Sequence, residues 1–333
     1  MKLGIKIEFS IHIYRNDGKK DAGQQKITEN KEIIDCQNNT DSFFKTARDA
    51  VEKLEKSRSI STISNYRCAL NSLMSFLNRD ISISEMNADL LESYEKWLRN
   101  NNVCMNSVSC YMRSLRSLIT KVFGKESRLM FNNIYTGRPK TSKRAIPESD
   151  LSRIKALKLD RNSFLCLVRD VFLFSFYALG MPFVDICFLR KTQIFDGQLV
   201  YERHKTGQKV IVQLEPCMTE IIARYQREDS DYVFPLLKSS DPLVAYRQYL
   251  SKLSCYNKSL RRLAKKAGVP SRLTSYTPRH TWASVANSSN IDLPVISKAL
   301  GHTNTQTTLT YIKEIDDKRL FEANKMIIDK IIQ

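Results

Sequence analysis

Three short segments in the last quarter of the chain carry side chains suited to work on a phosphodiester: Thr277-Pro278-Arg279-His280, Leu300-Gly301-His302 and Thr310-Tyr311. Thr is a favoured N-cap and Pro a favoured first helical residue, so the spacing puts Arg279 in the first turn of a helix. Helix N-termini offer unpaired N–H groups and partial positive charge, and a guanidinium beside them can hold a phosphate through two parallel hydrogen bonds. An arginine in that place can equally satisfy a carboxylate at a surface, and spacing alone leaves both open. Pro294 to Leu300 reads as a short helix closed by Gly301 at the C-terminal glycine position, which sets His302 just past the helix end. Tyr311 follows nine positions later in the Thr-rich stretch TNTQTTLTYIK, where hydroxyl side chains are easily exposed. It is one of 14 tyrosines, most of which must serve as core or surface.

The composition agrees with a polyanionic partner. Lys and Arg number 53 against 35 Asp and Glu, a formal charge of +18, which is compatible with DNA, RNA or an anionic membrane and also with a merely solvated basic surface. A length of 333 residues suits two or three domains. The eight cysteines form no CxxC pair and no Cys/His spacing of the zinc kind, so reduced, mostly buried thiols are expected and no metal site. The first residues lack the apolar run and cleavage site of a signal peptide, which suits a cytoplasmic protein. The most apolar stretch, Val171 to Val184, is too short for a bilayer and reads as a buried core helix, so no membrane partner is expected.

The elements that must position the three segments are mainly α with a small antiparallel β-sheet. Residues 1–35 open with period-two alternation (Ile5, Ile7, Phe9, Ile11, Ile13) and an Asn16-Asp17-Gly18 turn, a small β-containing segment. Residues 40–130 show helical periodicity in four segments, a small bundle. Its basic residues Arg67, Arg113, Arg116 and Lys121, with Arg58, are placed to track a phosphate backbone, though a solvated helix face explains them nearly as well. Residues 131–150 include TGRPKTSKRAIPESD and read as an exposed linker. Residues 151–333 read as a second domain: helix from Leu151 to Ile186, a three-stranded meander from Thr192 to Leu214 turning at Asp196-Gly197 and at His204 to Gln208, and further helices ending in an apolar one over Asp317 to Ile332.

The segments ALGHTNTQTTLTYIK and TSYTPRHTWAS resemble the last two motifs of the tyrosine recombinase (phage integrase) family, and the resemblance extends from about Asp41 to Lys318. NSVSCYMRSLRSLI and LFSFYALGMPFVDICFLRK further resemble integrases of mobile elements in the Bacteroides group. The resemblance implies a helical SAM-like core DNA-binding domain over 40–130, arm-type DNA binding or simple packing by 1–35, and a mixed α+β catalytic domain over 151–333 whose last helix docks in its own domain or on a neighbour. It implies a nucleophile at Tyr311, the second active-site arginine at Arg279, the late histidine at His302 and the hairpin lysine at Lys205. Each role suits its side chain: a phenol with pKa about 10 attacks poorly unless cations surround the phosphate, Lys205 can protonate a departing oxygen, and His302, with a reference pKa of about 6.5, has both protonation states accessible. His280 is expected to support the site from within the domain.

Two positions depart from the family pattern. An arginine normally follows the Gly-Leu or Gly-Met pair, and here Leu179-Gly180-Met181 is followed by Pro182; Arg169, Arg190 and Arg203 are the candidates to replace it. The position three before Arg279, commonly His or Lys, is Tyr276, which can donate a hydrogen bond but carries no charge. The implied partners are double-stranded DNA, a homo-tetramer assembled on it and accessory DNA-bending proteins, with no cofactor and, in the absence of GxxxxGK[ST], no nucleotide loop. The missing arginine also admits a site-specific DNA-binding protein without catalysis, and the shared tyrosine chemistry a type IB topoisomerase.

Overall fold

The computed structural model describes residues 42–137, 144–302, 306–309 and 324–325. They form two compact units that divide between residues 141 and 142. The expected strand in 1–35, the terminal helix over 317–332 except Asn324 and Lys325, and Tyr311 lie outside the described residues.

The first unit holds α1 (Phe43–Glu55), α2 (Ile60–Leu77), α3 (Ala88–Asn100) and α4 (Met105–Phe123), followed by a 3-10 turn over Lys125–Phe131. Apolar side chains three and four apart make each helix one-sided, and Phe43, Phe44, Val51, Leu70, Leu91 and Leu115 meet in one core. Three starts are capped by side chains: Ser42 Oγ accepts from Lys45 N at 3.1 Å, Ser59 Oγ from Thr62 N at 3.3 Å and Asn87 Oδ1 from Leu90 N at 2.9 Å. Phe131 and Ile134 are buried in the same core, so the exposed linker expected over 131–150 is shorter than its composition suggests, because the apolar residues among the polar ones belong to the bundle.

The second unit holds α5 (Glu148–Ala156), α6 (Phe164–Tyr177), α7 (Phe183–Cys187), strands β1 (Ile194–Phe195), β2 (Gln198–Glu202) and β3 (Lys209–Gln213), then α8 (Pro216–Tyr225), α9 (Pro242–Lys266), α10 (Thr277–Ser288), α11 (Leu293–Ala299) and α12 (Gln306–Leu309). The expected single helical run from Leu151 to Ile186 is three helices. Ser163 caps a fresh start by accepting from Cys166 N at 3.2 Å, and Leu179 and Gly180 take left-handed φ of 56° and 69° that no helix continues through. For the same reason Val171 to Val184 is not one core helix. α6 is nearly all apolar, lies at the centre, and packs against α8, α9 and α10. The antiparallel sheet runs β1-β2-β3, with Asp196 and Gly197 both at positive φ in the first hairpin. Leu199, Tyr201, Val210 and Val212 bury one face of the sheet, the alternation of a half-covered meander.

Among the described residues no helix is long and apolar enough to cross a membrane. The described cysteines are free, but only Cys166 and Cys187 are buried while Cys68, Cys104 and Cys255 are exposed. The expectation of mostly buried thiols fails because these three sit on the solvent side of their helices or at a helix start.

Candidate active site

Arg279 stands at the third position of α10, and it is one of the most deeply buried large side chains, 2% exposed. The helix begins one residue earlier than Thr277 would allow as a cap. Tyr276 occupies the cap position, and the Thr277 hydroxyl instead accepts from Thr274 N at 2.9 Å, tying the helix to the preceding turn. Thr281, one turn on, accepts from Ile146 N at 3.1 Å and donates to Thr277 O at 2.9 Å, which anchors the segment before α5 to the same helix. Arg279 donates from Nη1 to Gly180 O at 3.1 Å and from Nη2 to Leu300 O at 2.5 Å. Gly180 is required there: a Cβ would lie 2.8 Å from Arg279 Cα.

α11 ends as the spacing predicts. Gly301 has φ +60°, its N–H donates to Lys298 O at 2.9 Å, and His302 N–H donates to Ser297 O at 3.0 Å, the pair of bonds that closes a helix through a C-terminal glycine. This closure leaves the Leu300 carbonyl at the negative end of the helix for the guanidinium of Arg279, and it fixes the backbone of His302. The imidazole then bridges two partners: Nε2 is 2.9 Å from Arg279 Nη2, and Nδ1 is 2.8 Å from the hydroxyl of the buried Thr308. Guanidinium only donates, so Nε2 accepts and the ring proton sits on Nδ1. Burial first, then the cations Arg279, Arg203 and Lys205, push the His302 pKa down to about 3. The ring is therefore neutral at physiological pH, against the expectation that both protonation states are accessible.

Arg203, at the end of β2, reaches the same place from the sheet. It is 6% exposed, its Nη1 donates to Leu300 O and, at 3.4 Å, to Gly301 O, and its Nε lies 3.2 Å from Asp185 Oδ2. Asp185, buried on α7, also accepts from the His204 backbone N–H at 3.0 Å and from His204 Nδ1 at 2.9 Å. Lys205 is exposed on the turn that follows. Arg279, Arg203, His302 and Lys205 are thus brought together, and Tyr276 and His280 flank Arg279 on its own helix, half-buried.

The other two candidate arginines are elsewhere. Arg169 donates to Asp170 Oδ1 at 2.8 Å and to Leu157 O at 2.6 Å, inside a cluster where Asp170 also binds Arg224 and the Tyr225 hydroxyl. Arg190 is exposed with its guanidinium over the Tyr232 ring at 5.9 Å. Sequence reasoning missed Asp185 altogether. A lone carboxylate in the apolar run Phe183-Val184-Asp185-Ile186-Cys187 was its signal, because a buried charge requires a partner.

In the first unit, Arg113, Arg116 and Lys121 line a cleft of about 780 Å³ with Arg58 and Arg128, and no carboxylate lines it among the described residues. Burial and the Arg58 charge lower the Lys121 pKa. Arg67 does not join them, since its guanidinium is paired with Glu55 on α1. Arg128 was missed because it lies in a 3-10 turn with no periodicity to read.

Two family models match: the phage integrase SAM-like domain over residues 42–135 and the phage integrase family over residues 157–318. The chain belongs to the phage integrase family of tyrosine recombinases. A protein described as a tyrosine recombinase from Pseudothermotoga lettingae is 23% identical over 265 residues, covering 75% of this chain and 86% of the relative. A lambda integrase dimer bound to a COC′ core site superposes with a TM-score of 0.61 at 15% identity, covering 81% of this chain and 95% of the other. A lambda integrase tetramer bound to a Holliday junction gives the same TM-score and identity, covering 83% and 79%. These likenesses establish a shared fold, and the family match makes this recombinase an enzyme that acts by site-specific recombination.

Proposed function

We propose that this recombinase cuts and rejoins double-stranded DNA through a 3′-phosphotyrosine at Tyr311. The observation that carries the reading is the convergence of Arg279, His302 and Lys205 from three elements on one place. The Tyr311 oxygen attacks the phosphorus, forming the phosphotyrosine bond as the bond from phosphorus to the 5′ oxygen breaks. Lys205 gives a proton to that oxygen, and the phenol proton passes to His302. Its Nε2 carries the lone pair that Arg279 occupies in the free protein; a phosphate that draws the guanidinium to itself releases that lone pair for the proton. Arg279 holds the non-bridging oxygens, whose charge grows in the transition state. Attack by the 5′-hydroxyl of a second strand reverses the step, and the covalent bond conserves the energy, so no nucleotide is consumed.

On the same reading the clefted cations of the first unit, Arg113, Arg116 and Lys121, bind the DNA backbone, Tyr276 and His280 support the phosphate site, and the enzyme works as a homo-tetramer on DNA with accessory bending proteins, in the cytoplasm, moving a mobile element. The division into 1–35, 40–130 and 151–333 assigns arm contacts, core-site binding and catalysis. The test is incubation with a nicked duplex bearing the element-end site, followed by a denaturing gel. An adduct present with the native chain and absent with Tyr311→Phe supports the proposal; specific binding with no adduct from the native chain points instead to a catalytically silent DNA-binding protein, the outcome that Pro182 in place of an arginine favours.

A further inference from the structure

We infer that Arg203 is the catalytic residue that replaces the arginine missing at Pro182, binding the scissile phosphate beside Arg279, and that Asp185 is its positioning residue. The inference rests on the Tyr311 reading above.

Three observations carry it. The guanidinium of Arg203 shares a single acceptor, the Leu300 carbonyl, with the guanidinium of Arg279, although the two arginines come from the start of the β2–β3 turn and from α10. Each stem lies against a glycine where a Cβ would collide: at Gly301 it would stand 3.2 Å from Arg203 Cγ, and at Gly180 3.1 Å from Arg279 Cγ. Finally, the carboxylate paired with Arg203 among the described residues is Asp185, whose Oδ2 lies 3.2 Å from Nε as an ion pair without a hydrogen bond, while Nη1 donates to Leu300 O and Gly301 O and Nη2 has no hydrogen-bond partner among them.

The guanidiniums of Arg203 and Arg279, both nearly buried, meet on one carbonyl oxygen and concentrate positive charge at one place. A phosphate carries the charge that suits two adjacent guanidiniums, and Arg203 is already held by its Nη1 bonds to Leu300 O and Gly301 O and by the ion pair of its Nε with Asp185, so little reorganisation is left for the moment of reaction. Arg169 and Arg190 fail the same tests, the first being spent on Asp170 and Leu157 and the second lying exposed over Tyr232.

The experiment measures the rate of adduct formation on the nicked duplex for the native chain, Arg203→Ala and Arg203→Lys, using a scissile phosphate and the neutral methylphosphonate in its place. Removing one transition-state donor slows such reactions by about 10²–10³-fold. We expect that deficit for Arg203→Ala on the phosphate, a smaller one for Arg203→Lys, and a deficit under about tenfold on the methylphosphonate, where there is no charge left to neutralise. Because Ala leaves Asp185 buried without its cation, the pair Asp185→Asn with Arg203→Met serves as the folded control and should show the same two-substrate pattern. Equal deficits on both substrates would make Arg203 a structural residue and overturn the inference, as would an unchanged rate on the phosphate. An active native chain with either of those results sinks only the Arg203 assignment, whereas a native chain that forms no adduct removes the Tyr311 reading and the assignment with it.

Discussion

Replacing Gly180 by alanine should damage both the stability of the second unit and the placement of Arg279. Gly180 has φ +69°, a conformation that costs a residue with a Cβ roughly 1–2 kcal/mol. The added carbon would stand 2.8 Å from Arg279 Cα and 3.1 Å from its Cγ, where carbons in contact prefer about 3.5–4.0 Å. The nearest atom is backbone, so the first turn of α10 must retreat by roughly 0.7–1.2 Å rather than a side chain rotating away. Overpacking of this kind costs about 1–3 kcal/mol. A total of about 3 kcal/mol corresponds to a fall of roughly 6–12 °C in Tm for a unit of this size. A shift on the order of 1 Å in a substrate-positioning group also costs about 10² in rate. The matched control is Gly268→Ala: its φ is +62°, nothing lies within 4 Å of its Cβ, and it closes α9 away from Arg279. The control should therefore lose only the backbone cost and keep its adduct rate. Thermal unfolding and adduct kinetics of the two variants decide the matter. Equal Tm losses together with equal adduct rates would refute the reasoning that close packing on Gly180 fixes the arginine.

Two further outcomes follow from the electrostatics. With the His302 pKa pushed down to about 3, its ring resonances should not move between pH 8 and pH 5 in the free protein and should titrate higher once a duplex brings a phosphate to the site; a midpoint near the reference value of about 6.5 without DNA contradicts this. The folded pKa lies below the unfolded one, so the unfolded chain binds the extra proton: this group's contribution to stability is complete above about pH 6.5 and is lost as pH falls toward 3, which denaturant unfolding across that window measures. In the first unit, Arg113→Ala and Arg116→Ala should each weaken duplex binding and lower the slope of log affinity against log salt by about 0.9, the value of one phosphate contact. Arg67→Ala should leave the slope unchanged because Glu55 already holds its guanidinium; a loss equal to that of Arg113→Ala would contradict the pairing.

What could be read from the chain depended on whether the signal was local. The Asp196-Gly197 hairpin, the Gly301 closure that sets His302, and the one-sided helices of the bundle are each decided by a few adjacent residues, and they stand as expected. The breaks at Ser163 and at Leu179-Gly180 were obscured because apolar residues continue on both sides of them. Arg203 could not be separated from Arg169 and Arg190, since what distinguishes it is a carbonyl 97 positions away in the chain and a carboxylate 18 positions before it. The depressed basicity of His302 is likewise a product of assembled surroundings, with cations arriving from α10 and the β2–β3 turn. Arg67 looked as suitable as Arg113 because its partner Glu55 sits on a different helix.

The most direct test of the central claim is to digest the protein-DNA adduct with protease and nuclease and locate the nucleotide by tandem mass spectrometry. The account predicts a single modified peptide containing Tyr311, joined to the 3′-phosphate of the cut strand. A nucleotide on any other residue, or a 5′-phosphate linkage at Tyr311, would contradict it.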